Sequence, residues 1–191
     1  LEAVRSSKGI LDFRRMIAAE KLLYEGPWVA ERDLATQEII ENNPEAMLDV
    51  TRNMISAGNQ SNATEAFSAL YKLQALKIAS DKLVNQVDIL VSPTAGRHYT
   101  LAEIVAEPIA YNSNLGYYTN FMNLLDYAAI AVPTSFSNNK MPFGITLFSQ
   151  GMTDQKLLTF ADKIQQAAQL PLGATDWTIP VSTGITKSMS L

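Results

Sequence analysis

Ala129-Ile130-Ala131-Val132-Pro133, then Ser137-Asn138-Asn139-Lys140, then Phe143-Gly144-Ile145-Thr146-Leu147-Phe148 is the stretch that decides the fold class of this 191-residue chain. Short apolar runs of this length read as strands, and the Ser/Asn/Asn/Lys segment between them reads as a turn. Upstream, Ile89-Leu90-Val91 has the same character and predicts a third short, buried strand. It follows Asp88, which ends a long helix predicted from about Thr64 to Val87 with Ala66, Leu70, Leu73, Leu76, Leu83 and Val84 on one apolar face. Downstream, Thr153-Asp154 starts a helix to about Leu170, with Leu157, Leu158, Ala161, Ile164 and Ala168 inward. Strands separated by helices predict an α/β fold, a sheet with helices on both faces.

The first half reads as helical throughout. Ile10, Phe13, Ile17, Leu22 and Leu23 roughly follow a helical stripe, interrupted by charges at Arg14, Arg15, Glu20 and Lys21. Gly26-Pro27 punctuates it, Gly permitting a helix end and Pro suiting the first position of the next helix, which runs to about Glu41. Asn42-Asn43-Pro44 breaks the chain again before a short helix, and Gly58 to Asn62 reads as a polar loop. Thr100-Leu101-Ala102-Glu103 is a capping box, in which Thr and Glu satisfy each other's free backbone donors, and Thr119 to Tyr127 predicts one more short helix. Residues 1–170 form the folded part in this reading, and 171–191, rich in Thr, Ser, Gly and Pro, a tail or linker. Leu1 is not an initiator Met, so further sequence is expected upstream.

Composition excludes several function classes. The chain is 47% hydrophobic and 18% charged, with a net charge of −4 and no basic block, which argues against a nucleic-acid partner. There is no cysteine, so disulfides, thiolate metal sites and a Cys nucleophile are ruled out, and a cytoplasmic location fits. Asn59-Gln60-Ser61 and Asn62-Ala63-Thr64 match glycosylation acceptors, but no secretory signal precedes them. No apolar run approaches the roughly 20 residues of a membrane helix. His98 is the only histidine and reads as an exposed loop residue. One His and no Cys make neither an ordinary zinc site nor a Ser-His-Asp triad, so no metal and no cofactor are expected. Glycine pairs and phosphate-cradling loops are absent, which argues against nucleotides.

Three stretches carry more. Leu22-Leu23-Tyr24-Glu25-Gly26-Pro27-Trp28-Val29-Ala30-Glu31-Arg32 is the first. The second runs from Val91-Ser92-Pro93-Thr94-Ala95 through Tyr99 to Glu103, Pro108 to Gly116 and Tyr118-Thr119-Asn120-Phe121-Met122-Asn123-Leu124-Leu125-Asp126 to Ala131-Val132-Pro133. The third is Met141-Pro142-Phe143-Gly144-Ile145-Thr146-Leu147. Together, over roughly Leu22 to Leu170, they resemble the allophanate hydrolases of the amidase signature family. Gly96 departs from the family's pattern, where a second Pro is usual, and predicts a looser loop.

The resemblance implies a partial amidase-signature fold, a mixed sheet flanked by helices, and the C-terminal part of the amidase domain. It implies hydrolysis of allophanate, the carboxylated urea made by urea carboxylase, to ammonia and carbon dioxide. The family's Ser–cis-Ser–Lys triad occupies a Gly/Ser-rich segment N-terminal to everything matched. No catalytic residue is therefore expected in these 191 residues, and the piece alone is expected to be inactive. The missing N-terminal half of the domain is the implied partner, with a homodimer and a functional link to biotin-dependent urea carboxylase at the family level.

The family's recognition pair, a Tyr and an Arg eight positions apart, maps onto Tyr24 and Arg32. The residues themselves agree with that role. A Gly-Pro break between them sets Tyr24 in the last turn of one helix and Arg32 in the second turn of the next, so that both can converge on one pocket. Arg presents a planar fork that matches a carboxylate, and a tyrosine hydroxyl can bond a urea-like oxygen. The competing reading pairs Arg32 with Glu25, Glu31 or another acid on a solvated surface and packs Tyr24 in the core. Asn120 and Asn123 are further candidates for substrate contact, with bracing of nearby backbone as their competing role. Two other functions stay open: a different amidase-signature enzyme, similar to the glutamyl-tRNA amidotransferase component that carries the amidase fold, and a non-catalytic interaction module derived from an amidase.

Overall fold

The structure, a computed structural model, describes residues 13–173 and 175–180, with the side chains of Tyr24 and Glu25 outside that description. Most of the tail expected over 171–191 lies outside it as well. The described elements are α1 (Arg14–Glu25), α2 (Trp28–Asn42), α3 (Asp49–Ser56), α4 (Ala63–Val84), β1 (Leu90–Pro93), α5 (Leu101–Ala106), α6 (Pro108–Gly116), α7 (Asn120–Leu124), β2 (Tyr127–Phe136), β3 (Pro142–Gln150) and α8 (Asp154–Ala168). The α/β class with flanking helices holds.

The sheet has the order β1-β3-β2. Both pairings are antiparallel, Leu90 facing Phe148 and Ala129 facing Phe148 from the other side. The described part of the mixed sheet that the resemblance implies is thus small and antiparallel. For β2 and β3 the pairing follows from their connection, a turn over Ser137–Lys140 closed by a bond from Lys140 N to Ser137 O. A turn that short reverses the chain and permits only antiparallel pairing. β2 also runs on through Pro133, whose ring suggests a strand end, to Phe136, with a bulge between Pro133 and Ser135. β2 lies at the edge of the described sheet, and there a proline removes no ladder bond.

Alternation along the strands gives the sheet two differently clothed faces. On one, Leu90, Tyr127 and Phe148 join Met16 and Ala19 of α1, Val84 of α4 and Phe121, Met122 and Leu125 in a single buried cluster. Phe121 stands edge-on to Phe148 at 5.4 Å and to Phe13 at 5.0 Å, an arrangement that favours aromatic rings beyond their burial alone. On the other face, Ala128, Val132 and Leu147 pack on Leu157 and Ala161 of α8. Each buried Phe or Leu in these clusters contributes about 1.5–3 kcal/mol by removal from water.

The helices depart from the sequence pattern in instructive ways. Among the described side chains of α1, Met16, Ala19, Leu22, Leu23 and the acid Glu20 are buried, a face rotated from the stripe read in the sequence. Leu70 of α4 and Leu158 of α8, both expected inward, are about half exposed. Of the polar loop expected from Gly58 to Asn62, the first three residues belong to a 3-10 turn, Ala57–Gln60. Pro108 comes just after α5 and begins α6, because a proline at a first helical position has no lost hydrogen bond. The Thr100–Glu103 capping box is present, and Asn62–Glu65 forms a second one at the start of α4.

A polar hub ties α4 to the sheet. Asp81 accepts bonds from Lys77 Nζ at 2.7 Å, Tyr127 Oη at 2.9 Å and Gln150 Nε2 at 3.1 Å. Burial alone raises its pKa, but those donors and the Lys77 charge outweigh burial and hold it below the ordinary 3.8. Burial, reinforced by the Asp81 carboxylate, pushes the Tyr127 hydroxyl up. A carboxyl held low in the fold stabilises fully above its unfolded value, and that stability is lost as pH falls through the folded value. Stability is therefore expected to decline from about pH 5 downward, and Asp81→Asn to flatten that decline. Acid titration of the unfolding midpoint checks this: equal slopes in parent and variant would show that Asp81 has no part in it.

Candidate functional site

The break between α1 and α2 sets the candidate site. Tyr24 lies in the last turn of α1 and Arg32 in the second turn of α2, as the spacing predicts. Gly26 ends α1 with φ −108° and ψ −178°, which is extended backbone rather than the left-handed cap. Its lack of a side chain matters for a different reason: a Cβ there would run into the Leu22 carbonyl oxygen, which accepts the Gly26 N–H. Pro27 then caps α2. Whether the two side chains meet turns on the Tyr24 ring, which lies outside the described residues. Arg32 is exposed on the surface of α2 and has a partner within the molecule, and its carbonyl accepts from Thr36 Oγ1 at 2.8 Å.

Neighbouring elements fix both helices. α2 rests on the 3-10 turn at Gly58, where a Cβ would come within 2.6 Å of the Val29 and Ala30 backbone. The α1 helix packs on α4 and α7 through the cluster around Phe121.

Asn120 is the first residue of α7, and its Nδ2 donates to Glu20 Oε1 of α1 at 3.4 Å. Its side chain folds back against Gly116, where a Cβ would collide with the amide. Asn120 thus braces α7 against α1, one helical turn before Tyr24. Asn123, the other candidate, is exposed on α7. Glu20 is the residue that sequence reasoning misses, since it reads there as a charge that interrupts an apolar stripe. That interruption is itself the available signal, because a charge amid apolar positions is either rotated to solvent or buried with a partner.

A concavity of about 320 Å³ opens beside the sheet, between the loop after β1 and the β2–β3 turn, with Thr94, His98, Val132, Pro142 and Phe143 among its walls. His98 is exposed, as expected, and its Nε2 is 2.6 Å from the Pro142 carbonyl, which makes it the donor in a strap across this loop. Arg97 stacks over Tyr99 and pairs with Glu103, and Tyr99 stacks on Tyr111 at 4.6 Å. These contacts hold the loop that carries Gly96 in place. No group of three or more His, Cys, Asp or Glu that could hold a metal ion occurs among the described residues. No helix among them is long and apolar enough to cross a membrane.

Residues 9–158 match the Amidase family. The urea amidolyase of Lachancea kluyveri is 36% identical over 170 residues, 88% of this chain and 9% of that protein. The solved Kluyveromyces lactis allophanate hydrolase superposes with a TM-score of 0.79 at 37% identity, over 84% of this chain and 27% of the other. A glutamyl-tRNA(Gln) amidotransferase component from Legionella pneumophila (strain Corby) is 29% identical over 154 residues, 75% of this chain and 31% of that protein. This chain therefore spans less than a third of the length of each of these relatives.

Proposed function

The chain belongs to the amidase family, and from that premise we propose that it is the substrate-recognition part of an amidohydrolase that cleaves allophanate to ammonia and carbon dioxide during urea degradation. In this reading it works in the cytosol as part of a longer polypeptide, with a Ser–cis-Ser–Lys triad contributed by an upstream segment. One observation carries the reading: the likeness to an allophanate hydrolase covers 84% of the chain, and the family match takes in the segment with Tyr24 and Arg32.

The chemistry of the pair suits the substrate. Allophanate has a carboxylate at one end and a urea-type amide at the other. The Arg32 guanidinium offers two parallel N–H donors to the carboxylate, a charge-assisted contact roughly twice as strong as a neutral one. The Tyr24 hydroxyl offers a single donor to an adjacent oxygen. Gripping the acid end leaves the amide carbonyl to be presented to a serine. An amide without the carboxylate forgoes the charge-assisted contact to the guanidinium, and a site built around a polar contact rejects analogues that lack it. A homodimer and a functional link to a biotin-dependent urea carboxylase fit the same role, because the carboxylase makes the substrate.

A substrate panel on the full-length polypeptide tests this. Allophanate is expected to be turned over with kcat/KM at least about a hundredfold above that for simple amides or glutamine. A preference for glutamine would instead favour the amidotransferase-like reading, for which the 29% likeness to the Legionella protein speaks. Turnover of none of them would favour an interaction module without catalysis.

A further inference from the structure

Glu20 has no place in the chemistry above, yet it is a carboxyl group at 8% exposure beside Met16 and Ala19, which are both fully buried. Burial raises its pKa, offset in part by the Asn120 hydrogen bond and the Lys21 charge. A buried acid is costly where an apolar side chain of similar volume would pack without penalty. Its bond to Asn120 joins positions 100 residues apart in sequence. The path from α6 to α7 is shaped for that bond. Thr119 N donates to Gly116 O at 2.8 Å, which closes the turn, and Gly116 leaves the space into which the Asn120 amide folds.

We propose that Glu20 is a positioning residue: its carboxyl group, held by Asn120 under the α6–α7 turn, fixes where the last turn of α1, and so Tyr24, stands relative to α7. The proposal rests on the reading of Tyr24 as a recognition residue. Glu20 precedes Tyr24 by four residues, one helical turn, so a shift of α1 at Glu20 is transmitted to Tyr24 with little loss. Asn120 then serves recognition without touching substrate. The anchor specifies the placement of α1 along and around its own axis, which the apolar contacts of Met16 and Ala19, being non-directional, leave loose.

The test uses the full-length polypeptide, with allophanate as substrate, and two independent ways of breaking the anchor. Glu20→Ala removes the acceptor. Gly116→Ala leaves both partners in place but drives the Asn120 amide out of its position. Each is expected to raise KM about tenfold with kcat within about twofold, the size of effect that a small misplacement of a binding group produces. Glu20→Gln keeps an acceptor oxygen and is expected to stay within about threefold of the parent, which also guards against a variant that merely fails to fold. In a Tyr24→Phe background, Glu20→Ala is expected to add less than about twofold, because the group it positions is already gone. An equal KM effect in both backgrounds overturns the proposal. So does a lowered Tm with KM unchanged, which marks Glu20 as structural only. If Tyr24→Phe raises KM and Glu20→Ala does not, the positioning role fails alone. If neither Tyr24→Phe nor Arg32→Ala changes KM, the recognition reading fails and the positioning role falls with it.

Discussion

Arg32→Ala in the full-length polypeptide is expected to raise KM for allophanate about ten- to a hundredfold, the range that follows from losing hydrogen bonds to a charged group. Turnover of a neutral amide is expected to be unchanged, because no carboxylate is there to lose its partner. Arg32→Lys is expected to fall between, since an ammonium keeps the charge but not the planar fork. Folding is expected to change little: Arg32 is exposed on α2, alanine is the better helix former, and an exposed Arg loses at most about 1 kcal/mol with its partner. Steady-state kinetics on both substrates, with Tm measured alongside, separate the outcomes. An unchanged KM for allophanate would remove Arg32 from recognition.

The largest effect on stability is expected from Gly58→Ala. The new methyl group would lie 2.6 Å from the backbone of Val29 and Ala30, and neither can turn aside as a side chain would. Overpacking costs about 1–3 kcal/mol, and a clash with backbone belongs at the upper end. At about 2–4 °C per kcal/mol for a chain of this size, Tm is expected to fall by roughly 6–12 °C. Because Gly58 supports the helix that carries Arg32, KM for allophanate is expected to rise as well. A Tm within about 2 °C of the parent would mean that α2 rides on that turn loosely and that the contact is not a constraint.

Much of the fold is legible where a local rule speaks unopposed. The Gly26-Pro27 break locates the start of α2, the Asn42-Asn43-Pro44 break locates its end to within a residue, and the Thr100–Glu103 box locates α5. The Asn62–Glu65 box is as readable in principle, but it is hidden when Asn62 is taken into the polar loop that precedes it. Pro133 lies inside a strand and Pro108 begins a helix, and the two share a reason. A proline marks a place where a backbone donor is dispensable, and only tertiary context tells whether that place is the end of an element, its beginning or the edge of a sheet. Leu70 and Leu158 match a helical period, but a period identifies a face without saying what covers it. For the candidate site, the placement of Tyr24 and Arg32 on either side of a helix break follows from nearby residues. The tie between Glu20 and Asn120 does not, because nothing in the vicinity of either names a partner 100 positions away.

That long-range tie also has a bearing on the order in which the molecule acquires its shape. β2, β3 and α8 follow one another and contact one another, so the block from Tyr127 to Ala168 closes over short loops. The α1 helix has no such advantage, since its partners on α7 leave the ribosome about 5–20 s after it at ordinary rates of synthesis. During that interval the buried surface of α1 has nothing from α7 to cover it. Nascent chains halted before Asn120 are therefore expected to be open to protease near Tyr24, and chains that extend past α8 to be resistant there.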